Sequence, residues 1–332
     1  MDRWTLRRRR SVFSEFCYPL KGFSSSTREG KILPNWLKGS ALVLFGAFLW
    51  GTLAAFSKEA SSLHPVTGAV VRAALAALGC FVWFGVRSPD VLKVGLRDLV
   101  LLCIYGGVSA GFIYGGFMTA LTYLSVAATE VIYYTFPLFT TFFGALLLRE
   151  RPTAMQILSG ILILAGVLCM ALLTDSGAET SFPLPGLIAA MLSVLGMTVQ
   201  SLTMRWNGRS GWLRPWTLFS WAQFFAFVWL ALYKTLTLGW ADLPSLSGAS
   251  WGLLLYLGFV VTLLGYGAYN LGLRHVRAST GSMLASFELV TAVVLSALLF
   301  HAIPSTGEIL GCIIILIALV MSARGAQSNA SA

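Results

Sequence analysis

Charge is what this chain has least of. Asp, Glu, Lys and Arg make up 11% of its 332 residues, where soluble domains carry about 25%. So little charge cannot clothe a water-facing surface, which excludes an ordinary soluble domain. Histidine is scarcer still. His64, His275 and His301 stand far apart, and no H-E-x-x-H occurs. Cys17, Cys80, Cys103, Cys169 and Cys312 show no C-x-x-C spacing, so they read as core packing and not as zinc or disulfide chemistry. No G-x-x-x-x-G-K-[ST] loop is present, which excludes ATP hydrolysis on a P-loop. With no catalytic constellation in view, neither an enzyme, a metal nor a cofactor is expected. The net charge of +10 invites a nucleic-acid reading, but its distribution argues against one. Nine of the 23 Lys and Arg lie before residue 40, and most of the rest sit in alternate short loops, as a membrane topology requires.

What the chain does hold is hydrophobe, 57% of it. Apolar stretches of spanning length fall at 40–57, 66–86, 99–121, 126–148 and 154–174. The second half gives 185–204, 215–235, 250–273, 279–300 and 305–323. They are long enough for helices and too long and uniform for barrel strands. Among the 23 Lys and Arg, only Lys58, Lys234 and the intramembrane Arg72 fall off one side of a ten-span arrangement. The spacing therefore predicts ten transmembrane helices with both termini cytoplasmic in the cell inner membrane.

Residues 101–164 and 253–316 repeat each other at an offset of 152 without a gap. Gly106, Val108, Tyr114 and Gly115 meet Gly258, Val260, Tyr266 and Gly267, and Pro152 meets Pro304. Five spans per copy is odd, so the copies insert antiparallel. The expected fold is all-α integral membrane, two inverted five-helix repeats, with alternating access around their interface. The divisions are a basic, disordered cytoplasmic tail at 1–38, a first repeat at 39–175 and a linker at 176–184. A second repeat covers 185–323 and a C-terminal tail 324–332. The tail lacks the apolar run of a signal peptide, and Asp2, Glu15 and Glu29 weaken a transit-peptide reading.

Intramembrane ionisable residues point to function because each is costly there, about 2.5–3.5 kcal/mol at a helix centre. Glu288 lies near the midplane. It reads either as a structural acid bonded to a neighbouring helix or as a proton-coupling or substrate-amine site. Arg72 and Glu130 lie inside the outer ends of the second and fourth spans, and Lys58 ends the first. They either pair and snorkel or line an outer vestibule for a zwitterion or carboxylate. Trp50, Tyr114, Tyr134, Tyr266 and Asn270 are the further substrate-binding candidates, with Tyr114 and Tyr266 at equivalent repeat positions. Glu130 joins Glu288 as a proton-coupling candidate. Gly107, Gly111 and Gly115, four apart, predict a face where helix backbones approach closely. Pro137 predicts a kink in the fourth span. Its counterpart is Leu289, so the halves differ at the midplane. Glu308, matched by Gln156, reads as interfacial.

The ordered set of Leu49-Trp50-Gly51, Pro65 with Arg72, and Tyr133-Tyr134-Thr135-Phe136-Pro137 through Arg149-Glu150-Arg151-Pro152 resembles the drug/metabolite transporter superfamily. Thr262, Tyr266, Asn270 and Phe287-Glu288-Leu289-Val290 extend the likeness to its EamA-type ten-helix exporters, over residues 40–323. The resemblance implies export of small metabolites, amino acids or drugs, by proton exchange or facilitated diffusion. A small molecule, the lipid bilayer and protons are then the partners; nucleic acid is not. Two departures stand out. Leu289 replaces a usual proline and Ala302 a frequent acid, which bears on second-half kink geometry and not on the fold. A non-transporting receptor or scaffold is the alternative.

Overall fold

The computed structural model describes residues 34–53, 64–173, 183–243, 246–301 and 303–328. Lys58, Ala302, nearly all of the tail and most of the expected linker lie outside them. Among the described residues there is no strand. Ten helices follow in order: α1 Asn35–Gly51, α2 Pro65–Arg87, α3 Leu96–Ala120, α4 Val126–Leu147 and α5 Ala154–Leu173. The second five are α6 Leu184–Ser210, α7 Pro215–Thr237, α8 Gly248–Gly272, α9 Ala278–Phe300 and α10 Thr306–Ser328. Nine are long and apolar enough to cross a membrane. The tenth, α1, has 17 residues, the lower limit for a span. Large apolar side chains such as Phe142, Leu146, Leu195 and Leu298 are exposed around the bundle, which suits lipid and not water.

Local chemistry sets the helix ends. Ser125 Oγ accepts from Ala128 N at the start of α4, and Ser247 Oγ from Ser250 N at the start of α8. These caps stand 122 residues apart, yet they open the fourth helix of one half and the third of the other. True repeat mates cap α5 and α10. Thr153 and Gln156 exchange bonds of 3.0 and 3.2 Å, and Ser305 and Glu308 bonds of 2.7 and 3.2 Å. Each pair is a reciprocal capping box, which explains the Gln156–Glu308 match. Arg149 and His301, 152 apart, are the non-glycine residues with positive φ among the described residues, at 53° and 50°. The duplication thus reaches into backbone conformation.

The packing follows the same exchange symmetry. α3 packs on α6 as α8 packs on α1, α4 on α6 as α9 on α1, and α7 on α3 as α2 on α8. The pairs α5–α10, α2–α7 and α4–α9 map onto themselves. Two inverted repeats of five helices are therefore the architecture. Both ends of the described chain lie at one face of the bundle, here the terminal face; the other is the distal face.

Two features depart from expectation. The helix restarts at Phe136 after a break at Tyr134–Thr135, as Pro137 predicts. Yet α9 breaks too, at Ser286, with Leu289 in the proline's place. The Leu289 amide simply donates to the Ser286 carbonyl at 3.2 Å. The glycine stripe of α3 also behaves differently. Gly107–Gly116 is π-helical, as is Leu257–Tyr266 in α8, and Gly107, Gly111 and Gly115 still line one groove together. Gly107 and Gly115 face the side chains of Trp229 and Leu230. Close backbone approaches on α3 occur at Gly116, where a Cβ would stand 2.6 Å from the Ala189 carbonyl, and at Gly106, 2.8 Å from the Ala222 carbonyl; Gly46 of α1 stands as close, 2.6 Å from the Gly265 carbonyl.

Candidate functional site

A cavity of about 410 Å³ enters the bundle from the distal face. That size suits a small molecule. Pro65, Leu121 and Val126, at distal helix ends, form its mouth, and Arg72, Glu130 and Glu288 line its wall. A smaller pocket continues inward between Arg72, Tyr114, Tyr133, Tyr266 and Trp50. The helices that supply these groups come from both halves. α2 carries Arg72, the first segment of α4 carries Glu130, and the second segment of α9 begins with Glu288 in its first turn. The helix breaks at Tyr134 and Ser286 place Tyr134 beside Glu288, and its hydroxyl donates to Glu288 Oε2 at 3.3 Å.

Arg72 is 6% exposed, a depth at which a cation needs compensation. Its compensation is not an acid. Nε donates to Thr262 at 3.0 Å, and the guanidinium lies 4.3 Å from the Tyr114 ring centroid and 5.8 Å from that of Tyr266. Aromatic faces attract a cation without neutralising it. Among the described residues, ion pairs form at Lys93–Asp90, Arg205–Glu150 and Lys234–Asp242, and none involves Arg72, Glu130 or Glu288. Among the described residues the cavity wall therefore holds one cation and two acids with no ion pair between them. Its floor is aromatic: Trp50 lies 4.4 Å from Tyr266 and Tyr114 lies 5.4 Å from Tyr266, centroid to centroid. Gln223 Nε2 fixes the Tyr114 hydroxyl at 3.1 Å. Trp50 Nε1 is buried without a hydrogen-bond partner among the described residues.

Of the candidate residues, the structure gathers Trp50, Arg72, Tyr114, Glu130, Tyr134, Tyr266 and Glu288 around this cavity. Asn270 is apart from it, buried, with its Oδ1 accepting from Gln200 at 3.1 Å. The apolar wall of Leu53, Phe117 and Met118 carried no signal in the sequence beyond hydrophobicity. Among the described residues, no group of three His, Cys, Asp or Glu comes together to hold a metal.

The terminal face is closed by a network across the halves. Glu150 accepts from Arg205 Nε at 2.7 Å and from the Ala278 amide at 3.2 Å. Arg205 also donates to the Arg274 carbonyl, and Arg277 to the Arg151 carbonyl. At the distal face, Lys234 donates to Asp242 at 2.9 Å, and Thr67 donates to the same carboxylate. Burial pushes the Asp242 carboxyl up, but the bonds from Thr67 and Lys234 outweigh it, so it sits below the usual carboxylate range.

The model of the EamA-like transporter family matches residues 37–172 and 184–324. One similar protein is the uncharacterized membrane protein YMR253C of Saccharomyces cerevisiae, 25% identical over 80% of this chain and 68% of that one. Another is the biotin transporter of Escherichia coli, 24% identical over 84% of this chain and 91% of that one. A solved crystal structure shares the fold with a TM-score of 0.75 at 17% identity, over 88% of this chain and 98% of its own. The chain belongs to the EamA-like transporter family, and is a multi-pass membrane transporter.

Proposed function

We propose that this EamA-like transporter exports small amphipathic metabolites that carry a carboxylate, amino acids among them, by alternating access coupled to protons. The observation that carries the reading is Arg72, a buried cation that forms no ion pair among the described residues, on the wall of a cavity of about 410 Å³. A guanidinium is built to grip a carboxylate with two parallel bonds. The apolar part of the cargo rests on Leu53, Phe117 and Met118. Glu288 and Glu130 share the wall without pairing to Arg72, so each is placed to take up a proton as cargo arrives or leaves. The basic loop residues collect at the terminal face, which supports a cytoplasmic terminal face in the inner membrane. The cavity then faces outward. The similar biotin transporter handles a carboxylate on an apolar chain, so biotin belongs among the compounds to test.

Flux into proteoliposomes, with amino acids, biotin and amphipathic drugs as the panel, tests the reading. A pH gradient should drive at least one of them. Arg72→Ala should slow carboxylate flux by roughly 10- to 150-fold, the worth of a charge-assisted bond of about 1.5–3 kcal/mol. Glu288→Gln should remove the dependence on the gradient. No movement of any compound through folded protein would sink transport and leave a receptor. An unchanged gradient dependence in both Glu288→Gln and Glu130→Gln would sink the coupling alone.

A further inference from the structure

The two halves can be superposed residue by residue. Helices α3–α5 match α8–α10 at the offset of 152 set by the sequence repeat. Gly39 of α1 packs on His275 and Val276, and Gly186 of α6 packs on Tyr123 and Leu124. The contacted pairs are 152 apart, so α1 matches α6 at 147. Likewise the Leu75 side chain meets Gly258 and the Phe225 side chain meets Gly106, so α2 matches α7 at 150. Thr67 and Thr217 agree with that offset. Each ties the start of its helix to the following loop of the other half, at Asp242 and at the Val91 carbonyl.

Carried through these offsets, the observed cavity acquires a counterpart. Gly51, Met118, Tyr134, Leu257 and Ala292 of its lining become Thr198, Asn270, Ser286, Tyr105 and Thr140. All five are buried, between 0% and 9% exposed. Four of them hold a buried polar atom with no hydrogen-bond partner among the described residues: Thr198 Oγ1, Asn270 Nδ2, Ser286 Oγ and Thr140 Oγ1. The fifth, Tyr105 Oη, has the Ser109 side chain beside it, outside hydrogen-bond geometry. These four are among nine such atoms in the described residues. Helix serines and threonines nearby behave otherwise. Thr141, Ser193 and Ser201 donate to carbonyls three or four residues back. A buried, unmade hydrogen bond destabilises the state that holds it.

We infer that Tyr105, Thr140, Thr198, Asn270 and Ser286 line a second cargo cavity, shut in this structure, which opens to the terminal face. The inference rests on the alternating-access reading above. The class of ligand group follows from the side chains. Arg72, Glu130 and Glu288 map to Ala222, Ser282 and Phe136, so the second cavity has no charge to offer. It presents hydroxyls and an amide N–H, which bind neutral amide, ureido, carbonyl or hydroxyl groups. The cargo thus exchanges an ionic grip for a neutral one as access switches.

Impermeant maleimide applied to the terminal face of oriented proteoliposomes tests this. The background lacks the native cysteines and turns over a panel compound that the wild type moves. Thr198→Cys and Asn270→Cys should react at least ten-fold faster than Ser193→Cys, an equally buried site whose counterpart Gly46 does not line the observed cavity. Asn270→Cys strips Gln200 of its acceptor, so that variant is first checked for folding by its melting temperature. Thr198→Cys removes no existing bond and decides alone if need be. Rates no faster than Ser193→Cys, with flux retained, would overturn the second cavity and leave transport standing. Absent flux together with absent labelling would take down both.

Discussion

Glu150→Gln should release the terminal face. The Glu150 and Arg205 side chains are 8% and 18% exposed, so solvent screens their contact little and the surface value for an ion pair does not apply. Glutamine keeps one acceptor, enough for either Arg205 Nε or the Ala278 amide, and loses the charge that serves both. A hydrogen bond to a charged group is worth about 1.5–3 kcal/mol. Removing it from the closed terminal face alone shifts the balance between the two openings by roughly 10- to 150-fold. Spin labels at Ala154→Cys and Ser210→Cys, exposed at the starts and ends of α5 and α6, report the separation of the halves at that face. The variant should populate a longer-distance component that the parent lacks. Arg205→Gln should produce the same component, and the double variant should add little to either, because one interaction is lost in all three. An unchanged distance distribution in a variant that melts like the parent would refute the latch. Fully additive effects of the two substitutions would refute the pairing.

Leu289→Pro should be tolerated. The α9 break at Ser286 already spares the second segment a continuous ladder, and the substitution removes one amide bond of 3.2 Å, worth about 1 kcal/mol. Val294→Pro, inside the same segment, should cost about 3 kcal/mol or more. Equal losses of melting temperature in detergent would show that α9 is continuous in the membrane. Acid should loosen the distal face. Asp242 has a lowered folded pKa, so its contribution is present above the unfolded value and is lost as pH falls through the folded one. Melting temperature should therefore drop below the ordinary carboxylate range, about pH 4, and Asp242→Asn should be lower at neutral pH with a flatter acid limb. An acid limb identical to the parent's would remove Asp242 from that role.

The architecture was legible because bilayer chemistry writes it in large letters. Spanning length, loop charge and the offset of 152 fix helix number and inversion without any side-chain detail. The kink at Pro137 was legible for the same reason, since a missing N–H is a local fact. Its partner at Ser286 was not, because there the break is kept by the surrounding packing and Leu289 gives no local sign. Ionisable residues in apolar sequence drew attention to Arg72, Glu130 and Glu288, and all three line one cavity. Asn270 drew the same attention and lies elsewhere, held by Gln200. Polarity marks a residue as unusual in lipid but does not tell which face of its helix it occupies. The π-helical turns of α3 and α8 were invisible for a related reason: glycine spacing shows a shared face but not the winding that carries it.

The placement of Arg72, Glu130 and Glu288 on one wall has an electrical consequence. Their counterparts Ala222, Ser282 and Phe136 carry no charge, so the two openings of the bundle are electrically unlike. When water reaches these side chains from one face and then from the other, fixed charges change their position within the membrane field. Each elementary charge carried across it is worth about 2.3 kcal/mol per 100 mV. With both acids ionised the wall has a net charge of minus one, and a single bound proton cancels it. Voltage should then bias the empty, unprotonated protein and leave the singly protonated one nearly indifferent. Capacitive currents that persist unchanged in Glu288→Gln would contradict this. Resting membrane potential would thus act on the turnover cycle through its empty step.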